Sequence, residues 1–259
     1  MTKAIFFDID GTLVSFLTHA VSPATLAALR QLRERGVRLF IATGRHRSVI
    51  HTVQDVFPFD GYITLNGQFC FVGDRVLRGN PIPPEAAARL VDFLSRTRLP
   101  AVLLEQEETY TVNPDPRVDL FPSQLDIPLP PIVPVEHAAG RELYQAVVFL
   151  TREEERALAA PFAGLEAMRW HPGFVDVIAT GGGKDHGMDA LLSHFGIGLE
   201  DTMAFGDGEN DLPMLRHAHI GVGMGNADDQ VKGQADYVTG TVDEDGISSA
   251  LRHFGLLDP

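Results

Sequence analysis

A short apolar strand that ends in two aspartates, Asp8 and Asp10, limits the folds open to this chain more than any other feature. Side chains alternate between the two faces of a strand, so two aspartates spaced by one residue share one side if the strand continues through them. Open α/β sheets bind their ligands at the carboxyl ends of their strands. Two close carboxylates repel each other, and a divalent cation such as Mg²⁺ relieves that repulsion while it also contacts substrate phosphate. A surface turn rich in Asp and Gly is the alternative explanation.

The composition restricts the classes of partner. Of 259 residues, 44% are hydrophobic and 22% are charged, as in an ordinary globular protein. The net charge of −14 argues against binding to a nucleic-acid backbone but leaves room for a small phosphorylated substrate. A single cysteine, Cys70, excludes an internal disulfide framework. No apolar segment has the length of a signal peptide or a membrane span, so we expect a cytoplasmic protein, and we expect a monomer.

Strand-length apolar runs alternate along the chain with stretches whose apolar residues recur at helical spacing. This alternation predicts an α/β fold, a doubly wound parallel sheet with crossover helices. The predicted core strands are Ala4–Phe7, Val37–Ala42, Gly61–Leu65, Thr202–Phe205, Ile220–Met224 and Tyr237–Thr239, and the predicted core helices are Ala24–Arg35, Ser48–Val56, Lys184–Phe195 and Leu212–His217.

The pattern changes between a proline cluster at Asn80–Pro84 and three glycines at Gly181–Gly183. Hairpin-type pairing replaces crossover units in this interval, which indicates an α+β domain, residues 81–182, inserted into a core of residues 1–80 and 183–259. Its predicted elements are helices Glu85–Arg96 and Arg152–Ala160, strands Ala101–Glu105, Thr109–Val112 and Gln145–Leu150, a hairpin of Leu165–Trp170 with Val175–Ala179, and a proline-rich stretch Asn113–Pro134.

Several chemically active residues are predicted at or beside the carboxyl ends of the parallel strands, where loops meet at one crevice. A carboxylate there can act as a nucleophile and form an aspartyl phosphate. The transferred group carries charge on its oxygens, so the site needs a metal, a lysine and hydroxyl donors. The residues of these types are Asp8 with Asp10, Thr43, Lys184, and Asp207 with Asn210 and Asp211.

The order of these motifs resembles that of the haloacid dehalogenase superfamily. The four stretches that resemble its first to fourth motifs are Asp8-Ile9-Asp10-Gly11-Thr12, Ala42-Thr43-Gly44-Arg45, Lys184, and Gly206-Asp207-Gly208-Glu209-Asn210-Asp211. Three C-terminal segments resemble the Cof-type sugar-phosphatase branch of that superfamily, namely Val222–Ala227, Ala235–Thr239 and Glu244–Ile247.

The resemblance implies a role for each catalytic residue. Asp8 is the expected nucleophile, and Asp10 is the expected general acid and then general base. Thr43 supplies a hydroxyl donor and Lys184 a cation. The implied cofactor is Mg²⁺, and its implied metal site comprises Asp8, Asp10 through its backbone carbonyl, Asp207, and Asp211, which holds the ligand shell.

The expected contacts to substrate are less specific. The candidates are Thr43, Gly44, Arg45, Asn66 and Asn210. Pairing with an acid at a helix start explains Arg45 equally well, and an Asn-Gly turn explains Asn66 equally well.

The position of the insertion, between Thr43 and Lys184, resembles the type IIB cap arrangement. It predicts a mobile lid that selects the substrate, with Trp170, His171 and the stretch Asn113–Pro134 as candidate positions, although hairpin packing also explains the first two. The sequence departs from the family pattern around Lys184, where the context is Gly183-Lys184-Asp185, and at Val242.

These observations predict a Mg²⁺-dependent phosphatase that acts on a small phosphorylated metabolite, such as a sugar phosphate. Two alternatives stay open. A phosphomutase uses the same core and cap class. A phospho-accepting signalling module also uses acidic residues, a hydroxyl and a lysine, but an acid/base at Asp10 beside the phosphoaspartate speeds hydrolysis and argues against it.

Overall fold

The computed structural model describes residues 2–157 and 164–258. The chain divides into two compact units. The first unit consists of Met1–Arg45, Val49–Arg78 and Gly183–Pro259, and the second consists of His46–Ser48 and Gly79–Gly182.

Strands and helices alternate through the first unit, whereas the second is richer in adjacent strands. In chain order the strands are β1 (Ala4–Phe7), β2 (Arg38–Ala42), β3 (Gly61–Thr64), β4 (Phe69–Val72), β5 (Arg75–Gly79), β6 (Ala101–Leu104), β7 (Thr109–Val112), β8 (Gln145–Val148), β9 (Leu165–His171), β10 (Phe174–Ala179), β11 (Thr202–Gly206), β12 (Ile220–Gly223) and β13 (Tyr237–Val238). The helices are α1 (Pro23–Glu34), α2 (His51–Gln54), α3 (Pro84–Thr97), α4 (Leu120–Leu125), α5 (Arg152–Ala157), α6 (Lys184–Phe195), α7 (Leu212–His217), α8 (Asp229–Lys232) and α9 (Gly246–His253).

The strands of the first unit form one sheet in the order β13-β12-β11-β1-β2-β3-β4-β5. Pairing is parallel from β13 to β3, and β4 pairs with β3 in the antiparallel sense. All four residues of β1 are buried and apolar, as a strand covered on both faces requires. In register, Ala4 pairs with Arg38 on one side and with Thr202 on the other. The predicted doubly wound parallel sheet is therefore confirmed.

The chain order reverses at β1, because β2 and β3 extend the sheet to one side and β11 and β12 extend it to the other. In open α/β sheets, such a reversal opens a crevice outside the carboxyl ends of the strands. This topology places the ends of β1, β2 and β11 beside that crevice.

The second unit contains an antiparallel sheet in the order β7-β6-β8-β10-β9. One apolar face packs against α3, whose buried residues include Leu90 and Leu94. In the β9–β10 hairpin, the Trp170 indole packs edge-on against Phe174 and donates Nε1–H to Asp176 Oδ2 at 3.2 Å. His171 stacks on Phe174 as well. Trp170 and His171, two of the candidate lid positions, therefore take part in hairpin packing.

Some predicted elements differ from those in the structure. Strands β4 and β5 extend the core sheet where the sequence predicts only a turn after Gly61–Leu65. The predicted helix Ser48–Val56 is a 3₁₀ turn at Arg47–Val49 followed by the short α2. The proline-rich stretch contains α4. The last part of the predicted helix Arg152–Ala160, residues 158–160, lies outside the described residues. Among the helices that the structure describes, none is long and apolar enough to cross a membrane.

Candidate active site

The catalytic candidates lie where the parallel strands end. Asp8 directly follows β1, Thr43 directly follows β2, and Asp207 directly follows β11. Lys184 is the first residue of α6 and is fully buried. Because β1 lies between β2 and β11, these loops meet at one edge of the sheet.

Three aspartates form a tight cluster at this edge. One carboxylate oxygen from each of Asp8, Asp207 and Asp211 lies within 4.8 Å of the other two. The ammonium group of Lys184 joins two of them, since Nζ lies 2.5 Å from Asp8 Oδ1 and 2.5 Å from Asp211 Oδ1. Asp211 Oδ2 accepts the backbone N–H groups of Asp207 at 3.0 Å and Gly208 at 2.9 Å. Both oxygens of Asp211 are thus engaged within the loop and with the lysine.

Burial makes the negative charges of this cluster costly. Burial and the neighbouring Asp211 raise the pKa of Asp8 to about 8, although Lys184 acts in the opposite direction. Burial, with Asp8 next, raises the pKa of Asp207 well above its ordinary value. Burial lowers the pKa of Lys184, but Asp211 and Asp8 outweigh it, so the net shift is upward and the lysine stays charged.

The donor set fits a hard divalent cation. The cluster holds two buried carboxylates, Asp8 and Asp211, and the half-buried carboxylate of Asp207 beside a single lysine, so two negative charges stay uncompensated when all three aspartates are ionised. Mg²⁺ binds oxygen ligands such as carboxylates, and a cation here would favour the ionised forms of Asp8 and Asp207 against the burial and like charges that raise their pKa values.

Two residues that are not among the predicted site residues orient Asp207. Thr12 donates its hydroxyl to Asp207 Oδ1 at 3.2 Å, and Asn226 donates Nδ2–H to Asp207 Oδ2 at 3.1 Å. Asn226 also donates to the carbonyl of Gly11 at 2.8 Å. The sequence signals for these two roles are the position of Thr12 in the first motif and the position of Asn226 just after β12.

The carboxylate of Asp10 is bound to Arg45 rather than to the three-aspartate cluster. Arg45 donates from Nε to Oδ2 at 2.8 Å and from Nη2 to Oδ1 at 2.7 Å, and its side chain is 3% exposed. Of the two explanations for Arg45, the structure shows pairing with an acid.

The other substrate candidates are held by neighbouring groups. The hydroxyl oxygen of Thr43 accepts the backbone N–H of Arg45 at 3.1 Å, and Gly44 lies half-buried in the same loop. Asn210 donates Nδ2–H to Asn66 Oδ1 at 3.0 Å, and both residues are buried.

Known proteins resemble this chain over almost all of its length. The family described as haloacid dehalogenase-like hydrolase matches residues 5–251. YkrA of Bacillus subtilis (strain 168), a phosphatase candidate by name, is 35% identical over 257 residues, covering 99% of each chain. Pyridoxal phosphate phosphatase YbhA of Escherichia coli (strain K12) is 30% identical over 275 residues, covering 96% of this chain and 97% of its own length. A solved structure described as a sugar phosphatase of HAD subclass IIB is 45% identical with a TM-score of 0.94, covering 99% of this chain and 100% of that chain.

Proposed function

The chain belongs to the haloacid dehalogenase-like hydrolases and is a phosphatase of that family, and from this premise we propose that it is a Mg²⁺-dependent hydrolase of small phosphorylated metabolites. The observation that carries the proposal is the buried contact between Lys184 and Asp8 beside Asp207 and Asp211. A lysine there neutralises charge on both the attacking carboxylate and the incoming phosphate.

In the first step, Asp8 attacks the phosphorus atom of the substrate. A bond forms between a carboxylate oxygen and phosphorus, and the bond from phosphorus to the leaving oxygen breaks. Asp10 donates a proton to that leaving oxygen, so the alcohol departs neutral. In the structure both oxygens of Asp10 accept N–H bonds from Arg45, so we propose that one of these bonds opens and that the released oxygen carries the donated proton.

In the second step, water hydrolyses the aspartyl phosphate. Asp10 accepts a proton from the water as its oxygen attacks phosphorus, and the bond to the Asp8 oxygen breaks to release inorganic phosphate. Asp8 is thereby restored for the next turnover.

We assign the metal site to Asp8 and Asp207, with the backbone carbonyl of Asp10 as a further ligand and Asp211 holding the surrounding groups. When bound, Mg²⁺ supplies electrostatic stabilisation of the charge on the phosphoryl oxygens. Thr43 and Gly44 lie in the loop after β2, and we propose that they contact the phosphoryl group.

For the substrate we propose a sugar phosphate. The solved structure at 45% identity is described as a sugar phosphatase, whereas the E. coli relative at 30% identity is named for pyridoxal phosphate. Both names refer to enzymes of small phosphomonoesters. The higher sequence identity to the sugar phosphatase favours a sugar phosphate as the substrate.

A phosphate-release assay tests the proposal. The purified protein with Mg²⁺ is offered a panel of sugar phosphates, pyridoxal phosphate and a small aryl phosphate. We expect release of inorganic phosphate, fastest from one or more sugar phosphates. Conversion of a sugar phosphate to its positional isomer without phosphate release means a phosphomutase instead.

A further inference from the structure

Three consecutive residues with positive φ follow β3, and we call the segment Leu65–Gly67 the left-handed turn. The φ angles are 53° at Leu65, 51° at Asn66 and 87° at Gly67. Gly67 adopts this conformation freely, but a bulky residue such as Leu65 rarely does. Strained backbone of this kind persists only where surrounding contacts hold it, and it concentrates at functional sites.

Backbone hydrogen bonds join the left-handed turn to two other loops of the site. The N–H of Leu65 donates to the carbonyl of Arg45 at 3.1 Å, and the N–H of Asn66 donates to the carbonyl of Thr43 at 3.0 Å. On its other side, the carbonyl of Asn66 accepts the N–H of Gly183 at 3.0 Å. The turn therefore contacts both the loop after β2 and the residue that immediately precedes Lys184.

The left-handed turn packs tightly against the backbone of Gly183. A Cβ atom on Gly67 would overlap the carbonyl oxygen of Gly183. The turn thus fixes how closely the start of α6 approaches the end of β3, and Lys184 is the first residue of that helix.

The side chain of Asn66 contacts the fourth motif. Its Oδ1 accepts Nδ2–H of Asn210 at 3.0 Å, and Asn66 itself is 0% exposed. Asn210 immediately precedes Asp211, the second carboxylate on the ammonium group of Lys184. One buried residue therefore touches both segments that position the lysine, through its backbone on one side and its side chain on the other.

We propose that Asn66 is a positioning residue: it sets the placement of Lys184 and Asn210 for phosphoryl transfer and does not bind the substrate itself. The proposal rests on the proposed function, because it concerns the rate of that reaction. It replaces the two simpler explanations of Asn66, a pocket residue or a plain turn.

Two substitutions separate the side chain from the backbone. Asn66→Gly keeps the left-handed conformation and the carbonyl but removes Oδ1, whereas Asn66→Ala also strains the backbone. We expect Asn66→Gly to lower kcat with a small aryl phosphate about 10- to 100-fold, in line with the cost of a small misplacement. KM should stay within about twofold, since no substrate contact is lost. Asn66→Ala should lose at least as much.

A double-mutant cycle with Asn210 tests whether the effect passes through that residue. If it does, Asn66→Gly in an Asn210→Ala background lowers kcat little further, because residues in one contact are not additive. Should Asn66→Gly fail to fold, Asn210→Ala alone makes the same test, with reduced kcat and unchanged KM expected.

Asp245 offers a matched control in the first unit. It also has a positive φ, of 55°, and its Oδ1 accepts the hydroxyl of Ser22 at 2.7 Å. Asp245→Gly should lower Tm while leaving kcat with the aryl phosphate unchanged.

The outcomes distinguish failure of this inference from failure of the proposed function. No phosphate release by the wild-type protein from any phosphomonoester overturns the function on which the inference rests. With an active wild type, unchanged kcat in Asn66→Gly overturns the inference alone. So does a raised KM with unchanged kcat, which indicates a direct substrate contact.

Discussion

The guanidinium of Arg45 holds the carboxylate of Asp10 through two N–H···O bonds, and a third bond at 3.1 Å ties Nη1 to the carbonyl of Val49. The residue proposed as acid and base is therefore fixed from the loop that follows β2. A planar fork makes this arrangement specific to arginine, because an ammonium group cannot form both bonds with the same geometry.

Removal of the Arg45 guanidinium should slow turnover. We expect Arg45→Ala and Arg45→Lys to lower kcat by less than Asp10→Asn, which should cost about 10²–10⁴-fold as the loss of a general acid and base. In the Asp10→Asn background, Arg45→Ala should add little. Steady-state phosphate release by the wild type and these four variants decides the matter, and fully additive losses from Arg45→Ala and Asp10→Asn would show that Arg45 acts elsewhere.

Asp8→Asn should abolish turnover and leave the fold intact. The amide fills the same volume but cannot form the aspartyl phosphate. Acid-quenched protein incubated with ³²P-labelled substrate should carry label in the wild type and none in the variant. Near-normal phosphate release by Asp8→Asn means that another group is the nucleophile.

Lys184→Ala should cost both activity and stability. It leaves Asp8 and Asp211 buried without their cation, and breaking a buried ion pair costs about 3–5 kcal/mol. We expect a larger loss of rate than at Arg45→Ala. Lys232→Ala, at the end of α8, is the control and should change neither quantity. A greater rate loss at Arg45 would identify the guanidinium as the main catalytic cation.

Chelation should remove activity, and Mg²⁺ should restore it, whereas Ca²⁺ should inhibit because its coordination is looser and higher. The pKa of Asp8, about 8 without metal, gives a pH dependence. The metal requires the carboxylate, so the apparent affinity for Mg²⁺ should fall as the pH drops below about 8 and Asp8 takes up a proton. The rise in Tm on adding Mg²⁺, followed across pH, measures this. Full activity in excess chelator contradicts the metal assignment.

Residues of the second unit should set substrate preference more than chemical rate. The side chain of Ile132, in the stretch Asn113–Pro134, is exposed. Ile132→Ser should change the order of kcat/KM among sugar phosphates more than it changes kcat with an aryl phosphate. Val238→Ser, at an exposed site in the first unit, is the control. An unchanged order after several such exchanges assigns specificity to the core loops.

The sequence predicted the elements whose signals are local. The strand Ala4–Phe7 and the helix Lys184–Phe195 have the same bounds in the structure, because one is a continuous apolar run and the other lies between glycines. Carboxylates next to strand ends indicated which loops meet, since parallel strands end at one edge of a sheet.

Contacts between loops that are far apart in the chain could not be predicted from the sequence. Nothing near Arg45 indicates that its partner is Asp10, because this pairing depends on how two loops face each other. The Asn66-Gly67 dipeptide indicated a turn, but the positive φ of Leu65 has no sequence signal, since leucine disfavours that conformation. Strands β4 and β5 were not predicted, because they follow this turn and the turn reverses the direction of the chain.

The register of β1 has a consequence for synthesis of the protein. Its partner on one side, β2, is complete once residue 42 has been made, but its partner on the other side, β11, requires residue 206. One edge of this fully buried strand is thus open until residue 206 has been made, and open apolar edges are templates for aggregation. Asp207 and Asp211 also emerge after that point. The nascent chain therefore acquires its complete acidic cluster only when the open edge of β1 can at last be covered.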